Sequence, residues 1–371
     1  GLTAIVFLAF LSYNLLPPST FPQKFRFFMI VGATIIYFAK LFSVVILFLD
    51  DFIRLLKSLF RVFTKKKTID NEESSKITRS QFLARSAVIA GAIPLVAMTF
   101  GIVSGAHDYR VRRQKLRFAN LPSSFDGLKI IQISDIHSGS FYSKTAVKGG
   151  IDMLLKEKPD VIFFTGDLVN DETREVEDYI SVFDKVKAPL GVYSTTGNHD
   201  YGNYRVWPSE NAKEQNFKDL IEAHKVLGWD LLMNEHRFLE VNGDRIAIIG
   251  IENWGMGRFP KYGKMKEAYP GTEDTPFKIL LSHDPSHWDA EVRQDYPDID
   301  LMLAGHTHGF QFGVEVGDFK WSPSQWIYKQ WAGLYQEKNQ YLYVNRGYGY
   351  IGYPGRIGIL PEITVIELEK S

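Results

Sequence analysis

The chain has 371 residues, long for a single domain and enough for two regions. Its 43 basic and 43 acidic side chains balance, so it lacks the basic excess expected of a nucleic-acid partner. It has no cysteine, which excludes disulfides, thiolate metal sites and cysteine nucleophiles.

The first 118 residues read as a membrane region with about three spanning helices, at 1–16, 25–49 and 86–106. No Met precedes Gly1, so the natural start is expected upstream. Pro17, Pro18 and Pro22 break the first run. The second is long enough, at about 1.5 Å per residue, to cross a hydrocarbon core of about 30 Å. Lys40 interrupts it and must snorkel or find a partner. Residues 50–85 form a basic loop carrying Arg54, Lys57, Arg61, Lys65, Lys66, Lys67, Lys76, Arg79 and Arg85, which positive-inside logic places in the cytoplasm. The third helix then carries residues 119–371 out of the cytoplasm. Arg110, Arg112, Arg113, Lys115 and Arg117 argue the other way, but long domains translocate largely regardless of charge. Thr78-Arg79-Ser80-Gln81-Phe82-Leu83 looks like a twin-arginine signal with one arginine replaced, but reads better as the basic flank of a membrane helix.

From 119 to 371 the pattern changes to short apolar runs alternating with amphipathic segments. Buried strands are predicted at 128–134, 161–165, 191–195, 277–282 and 300–304, and further strands at 238–241, 245–251, 341–345 and 363–368. Helices are predicted at 143–158, 171–187 and 211–227. The alternation indicates an α/β sheet with its site at the carboxyl edge.

Each of the five buried strands leads into a motif. These are Asp135-Ile136-His137, Gly166-Asp167, Gly197-Asn198-His199-Asp200, Ser282-His283 and Gly305-His306-Thr307-His308-Gly309. They supply oxygen and imidazole ligands and no sulfur, a set suited to two divalent ions and a hydrolytic water. Any one motif alone would be ordinary turn chemistry. Five, each following a buried strand, are hard to explain otherwise, since burying so many ionisable groups without a metal is costly.

In this order and spacing the chain resembles the calcineurin-like metallophosphoesterase superfamily over about residues 125–371. It looks closest to the bacterial membrane-associated subgroup, through Asn345-Arg346-Gly347-Tyr348-Gly349 and onward to Pro361-Glu362-Ile363. Phe310 departs from that subgroup, which usually has Gly there, and is expected to narrow the pocket. The resemblance implies a four-layer α/β/β/α sandwich. It implies one metal on Asp135, His137, Asp167 and His308 and a second on Asp167, Asn198, His283 and His306. The ions would be Mn, Fe or Zn, with a bridging hydroxide as nucleophile. His199 would act on the leaving oxygen, oriented by Asp200.

Other signals are open or weaker. Arg346 and Arg356 suit a substrate phosphate or a structural loop equally. Gly347-Tyr-Gly349-Tyr-Ile-Gly352 matches a dinucleotide fingerprint by letter, but no helix or βαβ unit follows. His107, His224, His236 and His287 fit no motif and read as surface or packing residues. Trp321, Trp326, Trp331, Tyr328 and Tyr335 read as core packing ahead of a lipid- or substrate-facing cluster. The expectation is a bacterial inner-membrane, multi-pass phosphoesterase with an extracytoplasmic catalytic domain. It would hydrolyse phosphate mono- or diesters, with a phospholipid or lipid-linked substrate favoured by its anchoring. The alternatives are a catalytically idle scaffold subunit and a cytoplasmic-facing hydrolase of lipid-precursor pyrophosphates.

Overall fold

The structure, a computed structural model, describes residues 2–15, 21, 23–63, 78–257, 259 and 261–371. It divides into two compact units, Gly1–Val103 and Ser104–Ser371.

The first unit contains helices α1 (Leu2–Leu15), α2 (Gln23–Phe63) and α3 (Arg79–Val103). Two of these, α2 and α3, are long and apolar enough to cross a membrane; α1 spans 14 described residues. α2 runs past Leu49 because apolar residues continue at helical spacing, at Phe52, Ile53, Leu55, Leu56, Leu59 and Phe60. The expected 50–85 loop is therefore helical up to Phe63, and residues 64–77 lie outside the described residues. α3 begins earlier than expected because Thr78-Arg79-Ser80-Gln81 is a capping box. The Gln81 amide donates to Thr78 Oγ1 at 3.2 Å, and the Thr78 amide donates to Gln81 Oε1 at 3.3 Å. Lys40 finds a partner in Thr3 Oγ1 at 2.8 Å. Ser43 donates to the Ala87 carbonyl at 2.7 Å, an interhelical bond opposite the small residue Gly91.

The second unit holds two six-stranded mixed sheets. One has the order β1-β14-β2-β3-β4-β5 and the other β12-β13-β9-β8-β7-β6. The strands are β1 (Arg110–Phe118), β2 (Lys129–Ile133), β3 (Val161–Thr165), β4 (Val192–Thr195), β5 (Asp230–Leu231), β6 (Glu235–Val241), β7 (Asp244–Gly250), β8 (Lys278–Leu281), β9 (Leu301–Ala304), β10 (Val314–Val316), β11 (Phe319–Trp321), β12 (Gly333–Glu337), β13 (Gln340–Val344) and β14 (Glu362–Lys370). β10 and β11 form a separate hairpin. Period-2 alternation sorts the core into layers. Ile130, Phe163, Ile248, Ile279 and Leu303 pack between the sheets. Ile131, Ile162 and Phe164 face helices α4 (Lys144–Lys156), α5 (Ile180–Phe183) and α6 (Glu210–Leu227). Ile249, Leu280 and Met302 pack outward against Trp288 and Val292. The result is the α/β/β/α sandwich.

α4 and α6 start at serine caps, Ser143 and Ser209, and Gly228 ends α6 with φ 77°. Residues 171–187 are not one helix but a 3₁₀ segment, Thr173–Tyr179, followed by the single turn of α5. Sequence reading placed 110–118 with the membrane region, but these residues form β1, parallel to β14 from Arg110↔Glu362 to Phe118↔Lys370. Its basic side chains pair across the sheet and beyond. Lys115 meets Glu367 and Glu369, Arg117 meets Glu369, Arg113 meets Glu157, and Arg112 meets Glu315 and Glu362.

Candidate metal centre

β2, β3 and β4 are mutually parallel, as are β13, β9 and β8. Their carboxyl ends therefore carry all five motifs to one edge of the sandwich. Asp135, His137, Asp167, His306 and His308 all hold left-handed φ, between 48° and 70°. Such backbone is uncommon for non-glycine residues and concentrates at functional sites. Gly349 explains part of the tight closure. A Cβ there would lie 1.9 Å from the Ile136 carbonyl oxygen, so the C-terminal loop can press on the Asp135–His137 loop only without a side chain. The apparent dinucleotide fingerprint is this packing contact.

The side chains gather into two groups, Asp135 with His137 and His308, and Asp167 with His283 and His306. Within each, the ligand atoms lie within 4.8 Å of one another. His308 Nε2 is 3.1 Å from Asp135 Oδ1 and 3.1 Å from His137 Nε2. His283 Nε2 is 3.0 Å from Asp167 Oδ2 and 3.3 Å from His306 Nδ1. Asp167 Oδ2 is also 3.5 Å from His137 Nε2, so one carboxylate oxygen reaches both groups. Asn198 donates from Nδ2 to Tyr204 Oη at 2.8 Å, and its buried Oδ1 has no hydrogen-bond partner. Ring nitrogens facing one another and an orphaned amide oxygen are what divalent cations would satisfy.

Burial opposes charge on the His283 ring, but Asp167 and Asp135 outweigh it and push its pKa up to about 10. His137, enclosed without so close a carboxylate, is pushed down by burial. The His283 tautomer is fixed by Nδ1 donating to the Thr165 carbonyl at 2.7 Å, which leaves Nε2 for the site.

Three expectations are corrected. Asp200 does not orient His199. Its carboxylate accepts the backbone N–H groups of Asp167, Leu168 and Gly197 at 2.8–2.9 Å, tying the β3 loop to the β4 loop. The His199 ring is held instead by Nδ1 donating to the Asn170 carbonyl at 2.7 Å, and it packs on Tyr204. Arg346 and Arg356 are buried and already engaged. Arg346 pairs with Glu362 and Glu315, both at 2.6 Å. Arg356 donates to the carbonyls of Gly347 and Gly349 and lies 3.2 Å from His308 Nδ1. Neither guanidinium is free for a substrate phosphate. Phe310 holds φ 53° and turns outward at 44% exposure rather than into the ligand cluster. The aromatic cluster divides: Trp331 is buried with Ala332, Ile359 and Tyr328, whereas Trp326 is exposed.

Sequence reasoning missed Asn170 and Tyr204, and it read as core packing Tyr328, whose hydroxyl lies 2.7 Å from His306 Nε2. It named Ser282 and read His287 as surface or packing, but did not foresee that Ser282, His287 and Glu291 form a chain of 3.0 Å contacts beside His283. Asp284 Oδ2 lies 3.6 Å from His306 Nε2. None of these contacts is signalled by motif spacing, because the fold makes each one.

Comparison with known proteins agrees with this geometry. Residues 128–310 match the calcineurin-like phosphoesterase family, and residues 1–106 match the family described as a probable calcineurin-like phosphoesterase, transmembrane domain. The chain is 31% identical over 307 residues to the uncharacterized metallophosphoesterase YkuE of Bacillus subtilis, covering 80% of this chain and 99% of YkuE. It is 27% identical to the phosphodiesterase YaeI of Escherichia coli, covering 79% of this chain and 99% of YaeI. It is 28% identical to the UDP-2,3-diacylglucosamine pyrophosphatase LpxG of Chlamydia trachomatis, covering 62% of this chain and 81% of LpxG.

Proposed function

Because this chain belongs to the calcineurin-like phosphoesterases and is a membrane protein and metal-dependent hydrolase, we propose that it is a dinuclear phosphoesterase acting on a phospholipid or lipid-linked phosphate ester. Asp135, His137, Asp167 and His308 would hold one divalent ion, and Asp167, Asn198, His283 and His306 the other, drawn from Mn, Fe or Zn. The observation that carries the reading is Asp167 Oδ2, 3.0 Å from His283 Nε2 in one group and 3.5 Å from His137 Nε2 in the other. Held by these residues, two divalent ions would supply charge to polarise the phosphoryl oxygens and a hydrolytic nucleophile at neutral pH.

The protein's own contribution is positional. Asp135 accepts the His306 backbone amide at 3.0 Å, and Asp167 Oδ1 accepts the His199 amide at 2.9 Å, so both carboxylates are aimed before any ligand arrives. His199 belongs to neither ligand group. With Nδ1 committed to Asn170, its Nε2 is the atom left to give a proton to a leaving oxygen.

Asp167→Asn tests the reading. Metal analysis should find both ions lost together, along with hydrolysis of a panel of phosphate esters. Full metal content with normal turnover would overturn it. The likeness to LpxG favours a second reading, hydrolysis of a lipid-precursor pyrophosphate, which would call for a cytoplasmic-facing site. Including a nucleotide-linked diacyl sugar in the panel, and testing protease access in intact cells, separates the two. An idle scaffold subunit would bind metal and cleave nothing in the panel.

A further inference from the structure

The catalytic unit carries an apolar ridge that its own fold does not cover. Val316, Phe319, Trp326 and Ile327 are 70%, 63%, 74% and 68% exposed, and Phe310 and Phe312 are each 44% exposed. The ridge is rigidly mounted. Val314 and Val316 flank Glu315, which turns inward to pair with Arg112 and Arg346. Phe312 stacks edge-on against Trp321, and Trp321 against Trp326. Phe310 is a bulky residue in left-handed backbone, which a small residue would occupy with less strain, yet its ring faces outward.

Within the catalytic unit, the ridge is linked to the segment that follows α3 in the chain. α3 ends at Val103, and Gly105 is two residues on, at most about 7 Å. Gly105 is clamped in the catalytic unit, since a Cβ there would sit 2.0 Å from the Arg356 carbonyl oxygen. The next residue, Ile357, takes the Gly313 amide on its carbonyl at 2.9 Å and donates to Gln311 at 2.7 Å. One hydrogen-bonded step within the catalytic unit thus joins the Gly105 segment, two residues after α3, to the base of the ridge. Aromatic and branched apolar side chains at such a place suit the headgroup boundary.

We propose that Phe310, Phe312, Val316, Phe319, Trp326 and Ile327 insert into the headgroup layer of the bilayer that α3 enters, as a second, non-spanning membrane contact of the catalytic unit. Trp326 and Ile327 lead directly to Tyr328, which touches His306, so insertion would open the metal centre at headgroup depth. The contact does not depend on which ester is cleaved.

The absence of cysteine permits a clean test. The full chain carrying Val316→Cys, or Glu222→Cys on α6 as control, is labelled with an environment-sensitive fluorophore. It is then reconstituted into phosphatidylcholine–phosphatidylglycerol nanodiscs containing shallow doxyl lipid. Quenching at position 316 should exceed that at 222 several-fold. Phe319→Asp in the Val316→Cys chain should reduce it while leaving hydrolysis of a soluble nitrophenyl ester unchanged. Equal, background quenching at both positions would overturn the proposal. So would a blue-shifted but unquenched probe at 316, which would assign the ridge to a second copy or a protein partner.

Discussion

Asp200 and His199 are neighbours in sequence and do different work. The Asp200 carboxylate collects backbone amides from two loops, so Asp200→Asn, which accepts fewer of them, should loosen both ligand-bearing loops. A loss of about 2–3 kcal/mol in thermal unfolding, with reduced metal content, is expected. His199→Ala should instead keep its metals and its stability. It should lose roughly 10²–10⁴-fold on alkyl phosphates and less on nitrophenyl esters, whose leaving groups need no proton. Equal losses on both ester types would remove the proton-donating role. A third residue reports on pH. His224 is fully buried against Phe164 and Trp229, and burial pushes its pKa down to about 3. The folded value lies below the unfolded one, near 6.5, so the unfolded chain binds the proton first. Stability should therefore be complete above about pH 6.5 and fall as pH drops toward 3, by about 2 kcal/mol at pH 5. His224→Gln, which can still reach Ser194, should flatten that part of the pH–stability curve.

At the level of elements, legibility followed burial. The strands feeding the motifs are covered on both faces, so they read as unbroken apolar runs, and the motifs at their ends could be placed from order alone. β1 could not be read that way. Its basic residues look like a membrane flank until their partners are known, and Glu362, Glu367 and Glu369 lie some 250 positions away. Residues 171–187 misled for a related reason: the helical periodicity is present, but the Glu172–Glu175 capping box closes a tighter 3₁₀ turn. In the site, the side chains that gather into the two candidate ligand groups were legible and their supports were not, since Asn170 and Thr165 act through carbonyls that any residue could offer. The pairing of β1 makes a prediction. A chain beginning at Ser104 should be folded and monodisperse, whereas one beginning at Leu121 bares the edge of β14 and should aggregate or unfold at lower temperature. Identical size-exclusion profiles and melting points for the two would show β1 to be dispensable.

For the whole molecule, the arginines and lysine of β1 were the main argument against an outward-facing catalytic unit. Each is paired within that unit, Arg110 with Asp108 and the others with glutamates, so they act as sheet contacts of a long domain. Long domains translocate largely regardless of charge, so basic residues built into this fold weigh less than those of the short segment between α2 and α3. A reporter active only outside the cytoplasm, fused after Ser371, should therefore be active, and silence would invert the topology. Anchoring also bears on substrate. Only the step from Val103 to Gly105 separates the apolar helix α3 from the catalytic fold, so the tether between them is short. If a lipid phosphoester is the substrate, the full chain in mixed micelles should exceed the chain beginning at Ser104 by about tenfold or more on lipid, through effective concentration. The two should be equal on a soluble nitrophenyl ester, because the ligand set lies wholly within the second unit. Equal rates on lipid would mean that the helices set only location. Cleavage of soluble nucleotides with no lipid turnover by either chain would reject the lipid substrate altogether.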